Sequence, residues 1–227
     1  MQQQIRILST KKLLPNQKQF LLNANLSVIE SDFISTKSKP FEASSINANL
    51  IFTSQNAVES FIENPVSKKL KDKKVFCVGI KTKQLLEQHG FTVELHTGYA
   101  ADLAEIITLL HPNDSFTFFS GNMRRATLPD ALTAAGISFT EIETYETTLT
   151  PNKITATVDG LLFYSPSAVQ SFLKNNKITK QTCFCIGTTT AEALQNITDN
   201  IIIANQPTIE NTIIQCINYY KTSPSNS

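Results

Sequence analysis

The feature that most narrows what this chain can fold into is a diverged copy of part of itself. Leu50-Ile-Phe-Thr-Ser-Gln-Asn-Ala-Val-Glu-Ser-Phe-Ile62 aligns with Leu161-Leu-Phe-Tyr-Ser-Pro-Ser-Ala-Val-Gln-Ser-Phe-Leu173, identical at seven of thirteen positions. Val75-Phe-Cys-Val-Gly-Ile-Lys-Thr82 then aligns with Cys183-Phe-Cys-Ile-Gly-Thr-Thr-Thr190, so the offset is nearly kept, at 111 and then 108 residues. A period near a hundred residues is too long for a solenoid and suits two related small domains. Length alone, 227 residues, leaves one domain or two open.

Within each copy a short apolar run, a polar turn and a stretch with apolar residues three and four apart follow one another, which is strand, turn, helix. Strands are expected at Ile5 to Leu8, Leu26 to Ile29, Asn49 to Phe52, Val75 to Val78, Thr92 to Leu95, Phe116 to Phe119, Ser138 to Ile142, Gly160 to Tyr164, Cys183 to Ile186 and Asn200 to Ile203. Helices are expected at Val58 to Glu63, Lys83 to Gln88, Ala101 to Leu110, Leu128 to Ala135, Val169 to Lys174, Ala191 to Gln195 and Ile209 to Tyr219. Such alternation predicts an α/β class with parallel sheets covered by helices on both faces.

The first copy is preceded by about fifty residues that the second copy lacks. The N-terminal strand and helix are therefore expected to complete the second copy. The expected organisation is two similar doubly wound parallel-sheet lobes. One is discontinuous, residues 1–33 plus 148–227, and the other is inserted at 37–144. Linker strands at 31–38 and 143–150, rich in threonine and other β-formers, form a two-stranded connection and leave a bilobal chain with an interdomain cleft.

Twenty basic against nineteen acidic residues give a formal charge of +1, which disfavours a broad footprint for nucleic acid or anionic membrane. No apolar run is long enough to span a bilayer, and Met1 to Thr10 has no secretory signal pattern. A cytoplasmic location is expected. Any anionic ligand must then be held locally.

The turns offer a local means. Thr53 and Ser54, Ser165 and Ser167, and Thr188 to Thr190 each follow a repeated strand and precede a helix. Hydroxyls there cap helix N–H groups, and Pro166 suits a first helical position. Ligands of doubly wound sheets bind outside the carboxyl ends of the strands, where these turns lie. Helix starts gathered there would receive carboxylates or phosphates.

Other chemistries find little support. None of the seven glycines forms GxGxxG, and no GxxxxGK[ST] occurs, which disfavours a nucleotide-using enzyme. His89, His96 and His111 are scattered with no metal-ligand spacing, so no metal is expected. Asp102 and Glu105 lie a helical turn apart, and their place near a helix start suits dipole compensation. Cys77, Cys183, Cys185 and Cys216 form no paired framework, and the first three sit in strand-like runs as small core hydrophobes.

Taken in order, Ile51-Phe-Thr-Ser54 with Ala57-Val58, Val78-Gly79 with Thr82, Gly121 with Arg125 and Leu128, Tyr145-Glu-Thr147, Phe163-Tyr-Ser-Pro-Ser-Ala-Val169, and Ile186-Gly187 with Thr189-Thr190-Ala191 resemble the motifs of the uroporphyrinogen-III synthase family. The resemblance runs from about Ile5 to Tyr220, with Gln206-Pro-Thr-Ile-Glu210 similar to the family's last helix start. Gln55 replaces a proline after Thr-Ser, Thr188 replaces another, and Ser120 stands where arginine often precedes the glycine.

The resemblance implies a cofactor-free hydro-lyase of porphyrin and heme biosynthesis. Its substrate would be a small-molecule tetrapyrrole, hydroxymethylbilane, closed to uroporphyrinogen III through a spiro intermediate that inverts the last pyrrole. It implies Tyr145 as the catalytic acid, a phenol being protonated at neutral pH. Ser54, Gly79, Thr82, Ser165, Ser167, Gly187, Thr189 and Thr190 are the implied binding positions for substrate carboxylates. A monomer is expected. The competing reading is a non-catalytic bilobal receptor for an acidic small molecule.

Overall fold

A strand covered by helices on both faces needs apolar residues in succession, not at alternate positions. The apolar runs follow that rule in a computed structural model that describes residues 4–42 and 45–222. In chain order the elements are β1 (Arg6–Ser9), α1 (Pro15–Asn23), β2 (Ser27–Glu30), β3 (Ile34–Ser38), β4 (Asn49–Phe52), α2 (Gln55–Glu63), a 3₁₀ turn (Pro65–Lys69), β5 (Lys74–Val78), α3 (Ile80–Gln88), β6 (Val93–Thr97), α4 (Ala100–Leu110), β7 (Ser115–Gly121), α5 (Thr127–Ala134), β8 (Ser138–Leu149), β9 (Gly160–Phe163), α6 (Pro166–Asn175), β10 (Thr182–Cys185), α7 (Thr188–Glu192), β11 (Ile201–Ile203) and α8 (Ile209–Thr222).

The chain divides into a first unit, Met1–Ser35 with Thr148–Ser227, and a second, Thr36–Thr147. The divisions fall inside β3 and β8. Residues 1–3, 43–44 and 223–227, which belong to the lobes expected from the sequence, lie outside the described residues.

In the first unit the strand order is β11-β10-β9-β1-β2, with every neighbouring pair parallel. Consecutive side chains go to opposite faces. Ile7, Leu162 and Phe184 pack with Leu21, Ile213 and Cys216 of α1 and α8. Leu8, Leu161, Phe163, Cys183 and Cys185 pack on the other side with Val169, Phe172 and Leu194.

The second unit has the order β3-β8-β7-β4-β5-β6. Strands β4 to β8 pair in parallel wherever they are neighbours. At the edge, Thr150 N–H donates to Phe33 O (2.9 Å) and Lys39 N–H to Thr144 O (2.7 Å), so β3 runs antiparallel to β8. Leu50, Phe52, Val75, Cys77 and Phe119 face α2 and α3, whereas Ile51, Phe76, Phe116 and Phe118 face α4 and α5. Phe61 of α2 lies 5.1 Å from Phe52 and 4.7 Å from Phe119, centroid to centroid. Truncating such a ring costs about 3–5 kcal/mol, comparable to the whole stability of a small domain.

The two strand orders correspond. β9, β10 and β11 stand in their sheet as β4, β5 and β6 stand in theirs, and β1 and β2 stand as β7 and β8 do. The N-terminal β1–α1–β2 therefore fills the place that β7–α5–β8 fills in the second unit.

Most boundaries differ from the pattern reading by a residue or more, and some of the differences have a plain physical reason. The strand expected at 138–142 and the linker strand expected at 143–150 are one twelve-residue strand, β8. No glycine or proline lies within it, so nothing ends it. Helices α2 and α6 begin directly after Ser54 and Ser165, because a cap sets the start rather than the first apolar residue, and α3 begins directly after Gly79. The helix expected at Ala191 to Gln195 is instead α7, five residues that begin at Thr188. Among the described residues no helix is long and apolar enough to cross a membrane.

Candidate functional site

Each repeated strand delivers its chain to a helix start, capped by a serine side chain after β4 and β9 and begun by a glycine after β5 and β10. In the second unit Ser54 is extended (φ −150°, ψ 140°) and its Oγ accepts the Asn56 N–H at 3.2 Å. In the first unit Ser165 has the same conformation (φ −163°, ψ 157°), but its Oγ accepts the Ala168 N–H at 3.1 Å and lies 2.9 Å from Ser167 Oγ. Pro166 occupies the first helical position there and has no N–H to offer. Capping uses one N–H in each helix. The α6 start is therefore richer in hydroxyls and poorer in amide donors than the α2 start, where Gln55 stands in place of proline.

The second pair of turns diverges more. Gly79 takes φ +91°, a left-handed conformation that glycine adopts without strain. Its N–H donates to Thr97 O at 2.8 Å, and a Cβ there would lie 3.6 Å from Thr82 Oγ1. Gly187 is extended, with nothing within 4 Å of a Cβ built on it, and its carbonyl accepts from Thr190 N–H and Ala191 N–H, both at 3.1 Å. Thr82 and Thr190 are buried, Thr189 is half-buried, and Thr190 Oγ1 has no hydrogen-bond partner among the described residues.

The strand pairing makes these turns neighbours within each unit. β4 and β5 are adjacent and α2 packs on α3, so Ser54, Gly79 and Thr82 belong to one rim of the second unit. β9 and β10 are adjacent and α6 packs on α7, which groups Ser165, Ser167, Gly187, Thr189 and Thr190 in the first unit.

Tyr145 joins the rim of the second unit. Its hydroxyl donates to Ser54 Oγ at 3.2 Å, and its ring lies against the backbone of Gly121 at the end of β7. Burial pushes the Tyr145 phenol above its ordinary value, partly offset by the Ser54 hydrogen bond, so the group stays protonated through neutral pH. It is a proton donor there, not a base.

Beside it opens a cavity of about 440 Å³ lined by Ser120, Gly121, Asn122, Arg124, Glu141 and Glu143. Arg124 forks onto Glu141, with Nε to Oε1 at 2.6 Å and a terminal amine to Oε2 at 2.7 Å, and Ser120 Oγ donates to the same carboxylate. The Arg124 guanidinium holds the Glu141 carboxyl below its ordinary value. Asn122 braces this end of the sheet through both its amide nitrogen and oxygen to Thr147. Pattern reading missed Asn122, Arg124 and Glu141, and did not group Ser120 with them, because parallel pairing of β7 with β8 brings them together and no local spacing signals it.

His111, Asp102 and the cysteines hold structural places. His111 closes α4 against Asp114 at 2.9 Å with its ring edge-on to Phe76, Asp102 sits in the first turn of α4, and all four cysteines are buried and free.

Residues 26–214 match the family described as uroporphyrinogen-III synthase HemD. The uroporphyrinogen-III synthase of Chlorobaculum parvum is 27% identical over 173 residues, 66% of this chain and 70% of that protein. Among solved structures, uroporphyrinogen-III synthetase from Helicobacter pylori matches with a TM-score of 0.70 at 22% identity, covering 95% of this chain and 99% of that one. A variant of the Thermus thermophilus uroporphyrinogen III synthase matches at 0.67 and 15% identity, covering 95% and 98%. These two likenesses establish the mixed α/β fold with parallel sheets. The receptor reading gains no support from any of them.

Proposed function

The chain belongs to the uroporphyrinogen-III synthase family, and on that premise we propose that it closes hydroxymethylbilane to uroporphyrinogen III, acting as a carbon–oxygen lyase. The observation that carries this reading is the span of the family match, 26–214, which includes every turn singled out above.

The chemistry asks for little beyond placement. The bilane loses its hydroxyl as water to give an azafulvene, attack at the substituted carbon of the last pyrrole gives a spiro intermediate, and fragmentation with reclosure inverts that ring. Since the bilane also closes by itself to the uninverted isomer, holding one conformer is the main catalytic task. Ser54, Gly79 and Thr82 in one unit, and Ser165, Ser167, Gly187, Thr189 and Thr190 in the other, are the proposed receivers of substrate carboxylates through hydroxyls and helix-start amides. Tyr145 is the proposed acid, giving its proton to the departing hydroxide. A single acid contributes about 10²- to 10⁴-fold, so Tyr145→Phe should slow turnover without abolishing it.

Each unit closes its own core on both faces of its sheet, which supports a monomer as the working form; a cytoplasmic site of action is part of the same reading. The test supplies purified protein with freshly made hydroxymethylbilane and separates the product isomers. Isomer III, which spontaneous closure does not give, is expected, and isomer I alone refutes the activity.

A further inference from the structure

Ile142 and Tyr145 point to the same side of β8. Both pack on the cluster that contains Leu50, Phe52, Phe61 and Phe119. In a regular strand residues three apart face opposite ways, because side chains alternate with a period of two.

The parity changes at a bulge. Ser120 pairs with Glu143, yet the next residue, Gly121, pairs with Tyr145, leaving Thr144 as the extra residue on β8. A bulge of this kind turns every following side chain to the other face and often re-aims one beside a functional site. Thr144 is fully buried. Its Oγ1 donates to Ser120 O at 3.3 Å, and its carbonyl accepts from Lys39 N–H and from the Ser60 hydroxyl. The extra residue is thus pinned from three sides.

The turn brings the Tyr145 ring onto Gly121. A Cβ at position 121 would overlap Tyr145 Cζ and would lie 2.6 Å from Cε2 and 2.7 Å from Cε1. Those distances leave no room for a methyl group, so the ring as placed requires glycine. At its far end the hydroxyl meets Ser54 Oγ, itself fixed by the Asn56 N–H.

We propose that Thr144, Gly121 and Ser54 are positioning residues for Tyr145: the bulge selects the face, the missing side chain at 121 admits the ring, and Ser54 holds the hydroxyl. The inference rests on the reading of Tyr145 as the acid of a synthase. It adds that the acid's place is set by a strand irregularity one residue away.

The test makes Gly121→Ala and Ser54→Ala, each alone and combined with Tyr145→Phe. Gly121→Ala should lower kcat on the order of 10²-fold with KM little changed, as for a catalytic group displaced by about 1 Å. Ser54→Ala should lower it by about 2- to 12-fold, the worth of one neutral hydrogen bond. In the Tyr145→Phe background both further losses in kcat should shrink below about 2-fold, since coupled residues are not additive, whereas a KM rise from a lost Ser54–carboxylate contact should be the same in both backgrounds. Equal kcat losses in the two backgrounds overturn the proposal.

A second readout does not need turnover. The isotope-labelled Cζ resonance of Tyr145, identified by its absence in Tyr145→Phe, should shift in Gly121→Ala and in Ser54→Ala. The phenol should titrate higher in Ser54→Ala, because the Ser54 hydroxyl, turned to donate to the phenolate, favours the charged form and alanine cannot supply that bond. An unmoved resonance and titration in both variants refute the positioning role even if the enzyme makes isomer III. If the wild type makes only isomer I, the synthase reading fails while this measurement still decides the geometry. Should Gly121→Ala not fold, Ser54→Ala decides between the same outcomes by itself.

Discussion

Replacing Thr190 by valine should make this protein more stable and a worse binder of its substrate. Thr190 lies in α7, 1% exposed, and its hydroxyl has no hydrogen-bond partner among the described residues. A buried, unpaired hydroxyl costs about 1–3 kcal/mol, and valine puts a methyl group in nearly the same volume. Thr190→Val should therefore gain about 1–2 kcal/mol, because the site is already formed and needs no repacking. For a chain of this size that raises Tm by roughly 2–8 °C. If the hydroxyl instead awaits a substrate carboxylate, its loss removes a hydrogen bond to a charged acceptor, about 1.5–3 kcal/mol, and KM rises roughly 10- to 100-fold. Urea denaturation and steady-state kinetics on one preparation check both halves, with Thr190→Ser as the variant that keeps the hydroxyl. Destabilisation by about 1 kcal/mol or more, an amount typical of a lost hydrogen bond, refutes the unpaired hydroxyl. Stabilisation with unchanged KM removes Thr190 from substrate contact.

The two repeat glycines should behave oppositely: Gly79→Ala should cost about 1–2 kcal/mol because of its positive φ. Gly187→Ala, extended and open, should leave the melting temperature unchanged or slightly higher while raising KM if substrate approaches that backbone; equal melting losses would refute the contrast. Glu141 is depressed in the folded state by Arg124, so its stabilising contribution is complete above the ordinary glutamate value of about 4.3 and is lost as pH falls further. The stability difference between wild type and Glu141→Gln should be flat above about pH 6 and vanish in acid; a difference that grows in acid contradicts the sign. Burial pushes the Cys77, Cys183 and Cys185 thiols up to about 12, and Cys216 higher still. A disulfide reagent should react with the native protein at least about 10³-fold more slowly than with the unfolded chain, and rapid native labelling of any of them would place that thiol at the surface.

Much of this protein is legible as a string of residues. The repeat, the apolar runs and the hydroxyl before each helix are short-range signals, and short-range physics is enough to act on them: Ser54 and Ser165 cap because an oxygen lies two or three residues from an unpaired N–H. Runs such as Cys183-Phe-Cys185 read as doubly covered strands because no polar residue interrupts them. The absence of a prelude to the second copy is also a feature of the string, and it is the ground for expecting the N-terminal strand and helix to complete that copy.

Register was not legible. Nothing in Ser138 to Leu149 marks Thr144 as the residue that a parallel neighbour skips, and a slip of one would turn Tyr145 to the opposite face. The pairing of β7 with β8 decides it, and with it the contact of Tyr145 with Gly121, the reach to Ser54 across 91 residues of chain, and the fork of Arg124 on Glu141. Local chemistry along the chain is enough to say which residues could cap, cross or carry a proton. Which of them meet was settled only in three dimensions, because contact between residues far apart in the chain depends on strand register, and register is a property of the whole sheet.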